Sequence, residues 1–240
     1  MDENDDYDES IVTMTWQRWT LHRVHASPHV YVIDDFLTDL ELNHLFYGII
    51  AKSMFVRSFV DRGDEQVSGV EEEQRTSSFI SLPRQVNAKV AGIERKAAEM
   101  LGVAVDRVEP LQLVRYQKDQ FFGTHHDLGL LLEDGSVDLP PKQAFVKRRL
   151  ATFFCYLNDV DHGGCTHFPE CGDLRVTPKR GRAVLFCNIL RDGVPDPLTV
   201  HAGEPVKGKP VGRKKRRTEN QGNGYDDPVK YGLNVWVCEK

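Results

Sequence analysis

The chain reads first as a succession of short strands behind two helices. Leu111 to Tyr116 is apolar and β-favouring with a polar residue at alternate positions, and His29-Val30-Tyr31-Val32-Ile33 runs in the same way into Asp34-Asp35, so both predict strands. Between them Thr38 stands three residues before Glu41, the capping-box spacing, and predicts a helix over 39–51 with Leu40, Leu45, Phe46, Ile49 and Ile50 as its apolar stripe. A second helix is predicted over 87–101, with Val90, Ile93, Ala97, Ala98 and Leu101 on one face. Residues 13–24 mix Trp16, Trp19 and Leu21 with polar positions and predict a short strand or irregular cover. Further strands are expected at 75–80, 149–157, 166–168, 174–177, 183–188, 198–201 and 230–238, with a turn at 161–164. The polar stretch 59–75 reads as a mobile loop, and 129–147, with Asp134-Gly135 and Pro140-Pro141, as a turn-rich insertion. Many short strands after two helices indicate a mainly β, α+β chain built as a jelly-roll-like double sheet. There are no internal repeats.

Length and composition narrow the class. At 240 residues the chain can bury one well-formed core, and 40% hydrophobic with 28% charged residues is ordinary for a soluble globular protein. The expected organisation is an acidic, disordered tail over 1–12 and one domain over 13–240, with helical support at about 36–102, the jelly roll at about 106–240 and a basic loop insertion at about 207–227. A net charge of −5 argues against a general nucleic-acid binder. No apolar run approaches the roughly 20 residues of a membrane span, and the acidic start lacks the layout of a signal peptide. Cys155, Cys165, Cys171, Cys187 and Cys238 are odd in number and lack C-x-x-C spacing, so they read as reduced thiols and point to a cytoplasmic or nuclear setting. A Cys165–Cys171 bridge is sterically conceivable. The run Lys207, Lys209, Arg213 to Arg217 fits a solvated loop, a nuclear-import signal or a nucleic-acid patch. His162 and His167 read as surface or satisfied histidines.

The candidate chemistry lies in His125-His126-Asp127. On an extended chain residues two apart share a face, so His125 and Asp127 can enter one pocket while His126 points away. His201 is the best later partner. Two imidazoles and one carboxylate with open positions are the donor set of non-haem Fe(II) oxygenases.

A wider set of blocks carries a resemblance. Arg75-Thr76-Ser77 comes first, then Tyr116 with Gln120 and His125-x-Asp127, then Arg149-Leu150-Ala151-Thr152 and Tyr156-Leu157-Asn158-Asp159-Val160. Gly163-Gly164-x-Thr166-x-Phe168-Pro169, Pro178-Lys179-Arg180-Gly181-x-Ala183, His201-Ala202-Gly203-x-Pro205-Val206 and Lys230 to Trp236 follow in order. From about Pro28 onward the sequence resembles the Fe(II)- and 2-oxoglutarate-dependent dioxygenases, on their prolyl 4-hydroxylase branch. Asp119 stands where that family usually has Gly, and Lys230 lies further beyond His201 than usual, behind the polar 207–227 loop.

The resemblance implies a double-stranded β-helix with helices packed on one sheet. It implies Fe(II) held by His125, Asp127 and His201, with 2-oxoglutarate and O2 as cosubstrates and ascorbate as reductant. Lys230 would pair with the distal carboxylate of 2-oxoglutarate, and Asp127 argues against a halogenase. Tyr116 and Tyr156 would donate hydrogen bonds to the same cosubstrate or serve as core aromatics; Thr166 and Asn234 would line the pocket. Arg149 and Arg75 would lie on the substrate side, though Arg149 also reads as an ordinary arginine ahead of a strand. The implied reaction hydroxylates a peptidyl residue, proline to 4-hydroxyproline first, with release of succinate and CO2; the partner is then a proline-containing protein or peptide. The same chemistry on another residue or a small molecule, and a non-catalytic peptide-binding module, are the alternatives. Oligomeric state is not indicated.

Overall fold

The computed structural model describes residues 12–16, 19–58, 74–139, 147–208 and 227–240. All of the expected 1–12 tail but Val12, most of the polar 59–75 stretch, the Pro140-Pro141 part of the 129–147 insertion and most of the basic 207–227 loop lie outside them.

Fifteen strands are described: β1 (Val12–Trp16), β2 (Trp19–Ala26), β3 (His29–Ile33), β4 (Val56–Arg57), β5 (Ser78–Ser81), β6 (Gln112–Tyr116), β7 (Phe122–His125), β8 (Leu130–Leu131), β9 (Val137–Asp138), β10 (Arg149–Tyr156), β11 (Thr166–Phe168), β12 (Leu174–Val176), β13 (Ala183–Cys187), β14 (His201–Gly203) and β15 (Lys230–Cys238). Nine of them form one antiparallel sheet in the order β1-β2-β3-β13-β10-β15-β6-β5-β4, and four form a smaller one, β12-β11-β14-β7. β8 and β9 make a separate hairpin inside the predicted insertion.

Side-chain alternation assigns the two faces of the large sheet. Ile33, Leu113, Phe153, Cys155, Leu185, Leu233 and Val235 face one way, into a core shared with helix α2 (Ala88–Met100) through Val90, Ile93, Ala97 and Ala98. Val30, Val32, Tyr156, Val184 and Phe186 face the other way and pack on Phe168, Cys171 and Val176 of the small-sheet region. Helix α2 starts where Asn87 accepts the amides of Lys89 and Val90, as a helix N-cap does.

Helix α1 (Asp39–Asn43) carries the predicted capping box: Thr38 Oγ1 accepts the Glu41 amide, and Glu41 Oε2 accepts the Thr38 amide. The chain then widens into a π-helical turn (His44–Ile49) and a 3-10 turn (Ile50–Lys52). The predicted stripe is displaced there. Leu40 is 68% exposed, whereas Leu42 and Leu45 are buried, so the inward positions are Leu42, Leu45, Phe46 and Ile49, with Ile50 also packed on the core as expected. Their i, i+3, i+4, i+7 spacing is the better helical repeat, and it leaves Leu40 outside.

Residues 198–201 are not one strand. Pro197–Thr199 forms a 3-10 turn, capped by Asp196 accepting the Leu198 amide, and β14 begins only at His201. Pro197 cannot donate to a ladder, and the Asp196 carboxylate offers the backbone a local alternative. Residues 13–24 form most of a β1–β2 hairpin rather than loose cover. All five cysteines are free thiols, so no Cys165–Cys171 bridge forms. No described helix is long and apolar enough to cross a membrane.

Candidate active site

His125 and His201 are direct partners across the β7–β14 ladder, so their side chains leave the same face of the small sheet. Their ring centroids lie 4.3 Å apart. Asp127 lies two residues beyond His125, in a turn after the strand rather than on it. Its Oδ1 is 3.7 Å from His125 Nε2, and its Oδ2 is 3.8 Å from His201 Nε2. The three donor atoms fall within 4.8 Å of one another.

Each histidine is held by its other ring nitrogen. His125 Nδ1 donates to the Gly123 carbonyl at 2.9 Å and His201 Nδ1 to the Thr199 carbonyl at 3.0 Å, which leaves both Nε2 atoms facing inward. Phe122 stacks on the His125 ring at 3.6 Å, and Phe186 meets the His201 ring edge-on at 4.8 Å. Burial, with His201 alongside, pushes the His125 imidazolium well below its ordinary value, so the ring is neutral. Burial alone would raise the Asp127 carboxyl, but His201, His125, Arg149 and the Thr152 hydroxyl outweigh it and hold the group ionised. Thr152 Oγ1 (2.6 Å) and Trp236 Nε1 (3.1 Å), both from the large sheet, donate to Asp127 Oδ2. His126 points away, into the turn 196–199.

Beside the triad Lys230 is only 1% exposed. Its ammonium is surrounded by the rings of Phe154, Tyr116 and Tyr156 at 4.9, 5.1 and 5.5 Å. No carboxylate among the described residues pairs with it, and burial pushes its pKa down to about 7, with Cys165 and Glu204 only partly offsetting. Such a buried cation is suited to an incoming anion.

The other predicted residues border this space. The Tyr116 phenol, raised by burial, neighbours Arg75 and Ser77. The Tyr156 hydroxyl is joined to Thr166 Oγ1 at 2.6 Å and donates to the Val176 carbonyl at 3.1 Å, so Tyr156 and Thr166 bond each other and only the Tyr156 ring is turned to Lys230. Asn234 donates to Gln112 Oε1, which Arg75 also reaches. Arg75 lies over the Phe122 ring at 4.3 Å. Arg149 forks onto Glu109 at 3.0 and 3.1 Å and stacks 3.7 Å above Trp236. Sequence reading did not single out Thr152, Trp236, Gln112 or Glu109 individually. Three of them sit inside or beside the quoted blocks and strands, but their contacts cross the sheets and have no local signature. His167 pairs with Asp173 at 2.7 Å, away from the triad, as expected of a satisfied surface histidine.

The sequence profile of the 2OG-Fe(II) oxygenase superfamily matches residues 111–222. Prolyl 4-hydroxylase 5 of Arabidopsis thaliana is 32% identical over 209 residues, covering 79% of this chain and 67% of the relative. The chain belongs to the 2OG-Fe(II) oxygenase superfamily, in its prolyl 4-hydroxylase-like family. Prolyl 4-hydroxylase 2 of the same plant is 32% identical over 211 residues, 77% of this chain and 64% of the relative. The chain thus spans just under two thirds of the length of that family member. Among solved structures, the viral collagen prolyl hydroxylase of Paramecium Bursaria Chlorella virus-1, in its 2OG complex, aligns with TM-score 0.59 at 23% identity, over 87% of this chain and 94% of that one. A Trichoplax adhaerens prolyl hydroxylase, bound to a hypoxia inducible factor peptide fragment, aligns with TM-score 0.57 at 12% identity, over 87% and 83%.

The donor set fits the metal that gives this family its name. Two imidazoles with their Nε2 atoms turned inward and one ionised carboxylate leave coordination positions open, and hard oxygen and imidazole donors suit Fe(II).

Proposed function

We propose that this chain is an Fe(II)- and 2-oxoglutarate-dependent dioxygenase that hydroxylates a peptidyl proline to 4-hydroxyproline. The observation that carries the reading is the converged triad beside a buried lysine that has no carboxylate partner among the described residues. One domain over 13–240 would bear it, its two facing sheets forming a double-stranded β-helix. The names of the plant relatives and the fold of the two solved hydroxylases support the same reading.

His125, Asp127 and His201 would hold Fe(II). With metal, 2-oxoglutarate and O2 bound, the site would supply an oxidation that places one oxygen atom in the released succinate, beside CO2, and the other on the substrate carbon. The chain's own part is orientation and charge. Thr152 and Trp236 fix Asp127 Oδ2, and the Gly123 and Thr199 carbonyls fix the imidazole rings, so the donors are aimed before the metal arrives. Lys230 would take the distal carboxylate of 2-oxoglutarate, and the Tyr116, Phe154 and Tyr156 rings exclude water from that contact. The Tyr156–Thr166 bond braces one wall, and Asn234 holds Gln112 against Arg75 at another.

Arg75 over Phe122 and Arg149 over Trp236 would receive the substrate. Each guanidinium, steadied by the ring beneath it, would be a donor for peptide carbonyls.

The deciding experiment measures succinate from the Fe(II)-loaded chain with 2-oxoglutarate and ascorbate, with and without a proline-rich peptide, and weighs the peptide afterwards. Peptide-dependent succinate with one oxygen gained at proline is expected. Absence of succinate from protein with iron bound would overturn the reading.

A further inference from the structure

His126 stands between two proposed metal ligands yet points away from them, and it is 4% exposed. Both of its ring nitrogens are engaged. Nδ1 accepts the Leu128 amide at 3.1 Å, so it carries a lone pair. Nε2 lies 3.0 Å from the Asp196 carbonyl, which can only accept, so Nε2 carries the hydrogen. Thr199 Oγ1, 3.1 Å from Nε2, donates to the same carbonyl at 2.8 Å.

The segment gripped in this way is the 3-10 turn Pro197–Thr199 with its Asp196 cap. Its last residue supplies the carbonyl that orients His201. The grip closes a ring of contacts. The Asp196 amide donates to the Asn188 carbonyl, Asn188 Nδ2 to Thr152 Oγ1, and Thr152 to Asp127 Oδ2, the neighbour of His126 in the chain. The ladder that otherwise ties the two ligand-bearing arms is short and irregular where it matters: β7 and β14 pair at His125–His201 and Phe122–Gly203, with a register shift between.

We propose that His126 is a positioning residue for the metal centre, which locks the arm bearing His125 and Asp127 to the turn that aims His201. This rests on the proposed iron site, and the test separates the two. Co(II) alone is titrated into the metal-free full chain, reading affinity and the visible ligand-field bands. The wild type should bind one Co(II), and His201→Ala should abolish that binding; a wild type that binds none overturns the iron site and this inference with it.

His126→Phe keeps a ring but no hydrogen bonds, and it should weaken Co(II) binding by at least about tenfold and alter the bands, the usual scale for losing an outer partner of a metal ligand. His126→Gln, whose amide can still donate to the Asp196 carbonyl, should recover most of both. A Phe variant with wild-type affinity and bands, or a Gln variant no better than Phe, overturns the role. Should the Phe variant not fold, long-range 15N–1H NMR of the wild-type histidines decides. A neutral His126 with a protected Nε2 hydrogen is expected, and the opposite tautomer or a freely exchanging ring would rule the lock out.

Discussion

Lys230 carries the sharpest conflict between a side chain and its surroundings. Its ordinary pKa is 10.5, and burial among three aromatic rings holds it at about 7. Below pH 7 the ammonium is charged in both folded and unfolded chains, and its burial costs stability in full. Between pH 7 and 10.5 the unfolded chain binds the extra proton, so this lysine makes stability climb with pH. Lys230→Met should therefore raise the melting temperature of the ligand-free protein, most at pH 6 and less by pH 9, while erasing the further rise given by 2-oxoglutarate. A variant that melts lower at pH 6 would contradict a buried charge without a carboxylate partner among the described residues. Affinity of the wild type for 2-oxoglutarate should fall as pH passes upward through 7, because the bound anion favours the protonated lysine. Titration calorimetry in buffers of different ionisation enthalpy would show proton uptake. His125 and Asp127 were legible because their two-residue spacing is a local fact, whereas His201 and Lys230 stand far along the chain and were picked by their place among the ordered family blocks. Thr152, Trp236 and Glu109 were not, because their contacts with Asp127 and Arg149 join residues 25, 109 and 40 positions apart.

Among the elements, helix α1 shows how one carboxylate serves two structures. Glu41 Oε2 completes the capping box on Thr38 and also accepts from Lys96 of helix α2 at 2.6 Å, both side chains being nearly buried. Thr38→Ala should cost about 1 kcal/mol, the usual scale for an N-cap. Lys96→Met should cost more, about 3 kcal/mol, because it leaves Glu41 charged and buried without its cation. Urea denaturation of the two variants ranks them, and an equal loss would show that the pair adds nothing beyond the cap. The capping box was readable from Thr38 and Glu41 alone, and so were strands such as β3 and β15, whose apolar runs have the right length. The inward face of helix α1 was misread at its start, where Leu42, not Leu40, begins the repeat that continues through Leu45, Phe46 and Ile49. The start of β14 was misplaced as well: Val200 looks β-like, but Pro197 and the Asp196 cap decide the backbone ahead of it.

Across the whole molecule, binding to the folded state alone must appear as stability. Fe(II) or Co(II) at one hundred times its dissociation constant should add about 2.7 kcal/mol, and a chelator should remove it. His125→Ala and His201→Ala should keep the circular dichroism of the wild type, lose the metal-induced rise in melting temperature and release no succinate. A metal-dependent shift surviving in His201→Ala would displace the ion from the triad. The mainly β architecture was legible from many short strands following two helices, whereas helices on one face followed only from the family resemblance. The pairing of β3 with β13, which inserts an early strand beside late ones, was not, since no local pattern encodes a partner about 150 residues away.

That layering makes the molecule a caliper. The two histidines hang from the small sheet, and Lys230 from the large one. The jaw opening is set by the packing of Val30, Val32 and Val184 on Phe168 and Val176, a dry contact that yields little. A rigid jaw grades its ligands by length, so a keto-dicarboxylate one methylene shorter or longer than 2-oxoglutarate should be turned over far more slowly. Val184→Ala, which thins the layer without touching the triad, should narrow that preference before it unfolds the chain. Competition among oxaloacetate, 2-oxoglutarate and 2-oxoadipate in the two proteins reads the gauge directly. With Lys230 and the triad in their proposed roles, the hydrophobic core would be what measures the length of the cosubstrate.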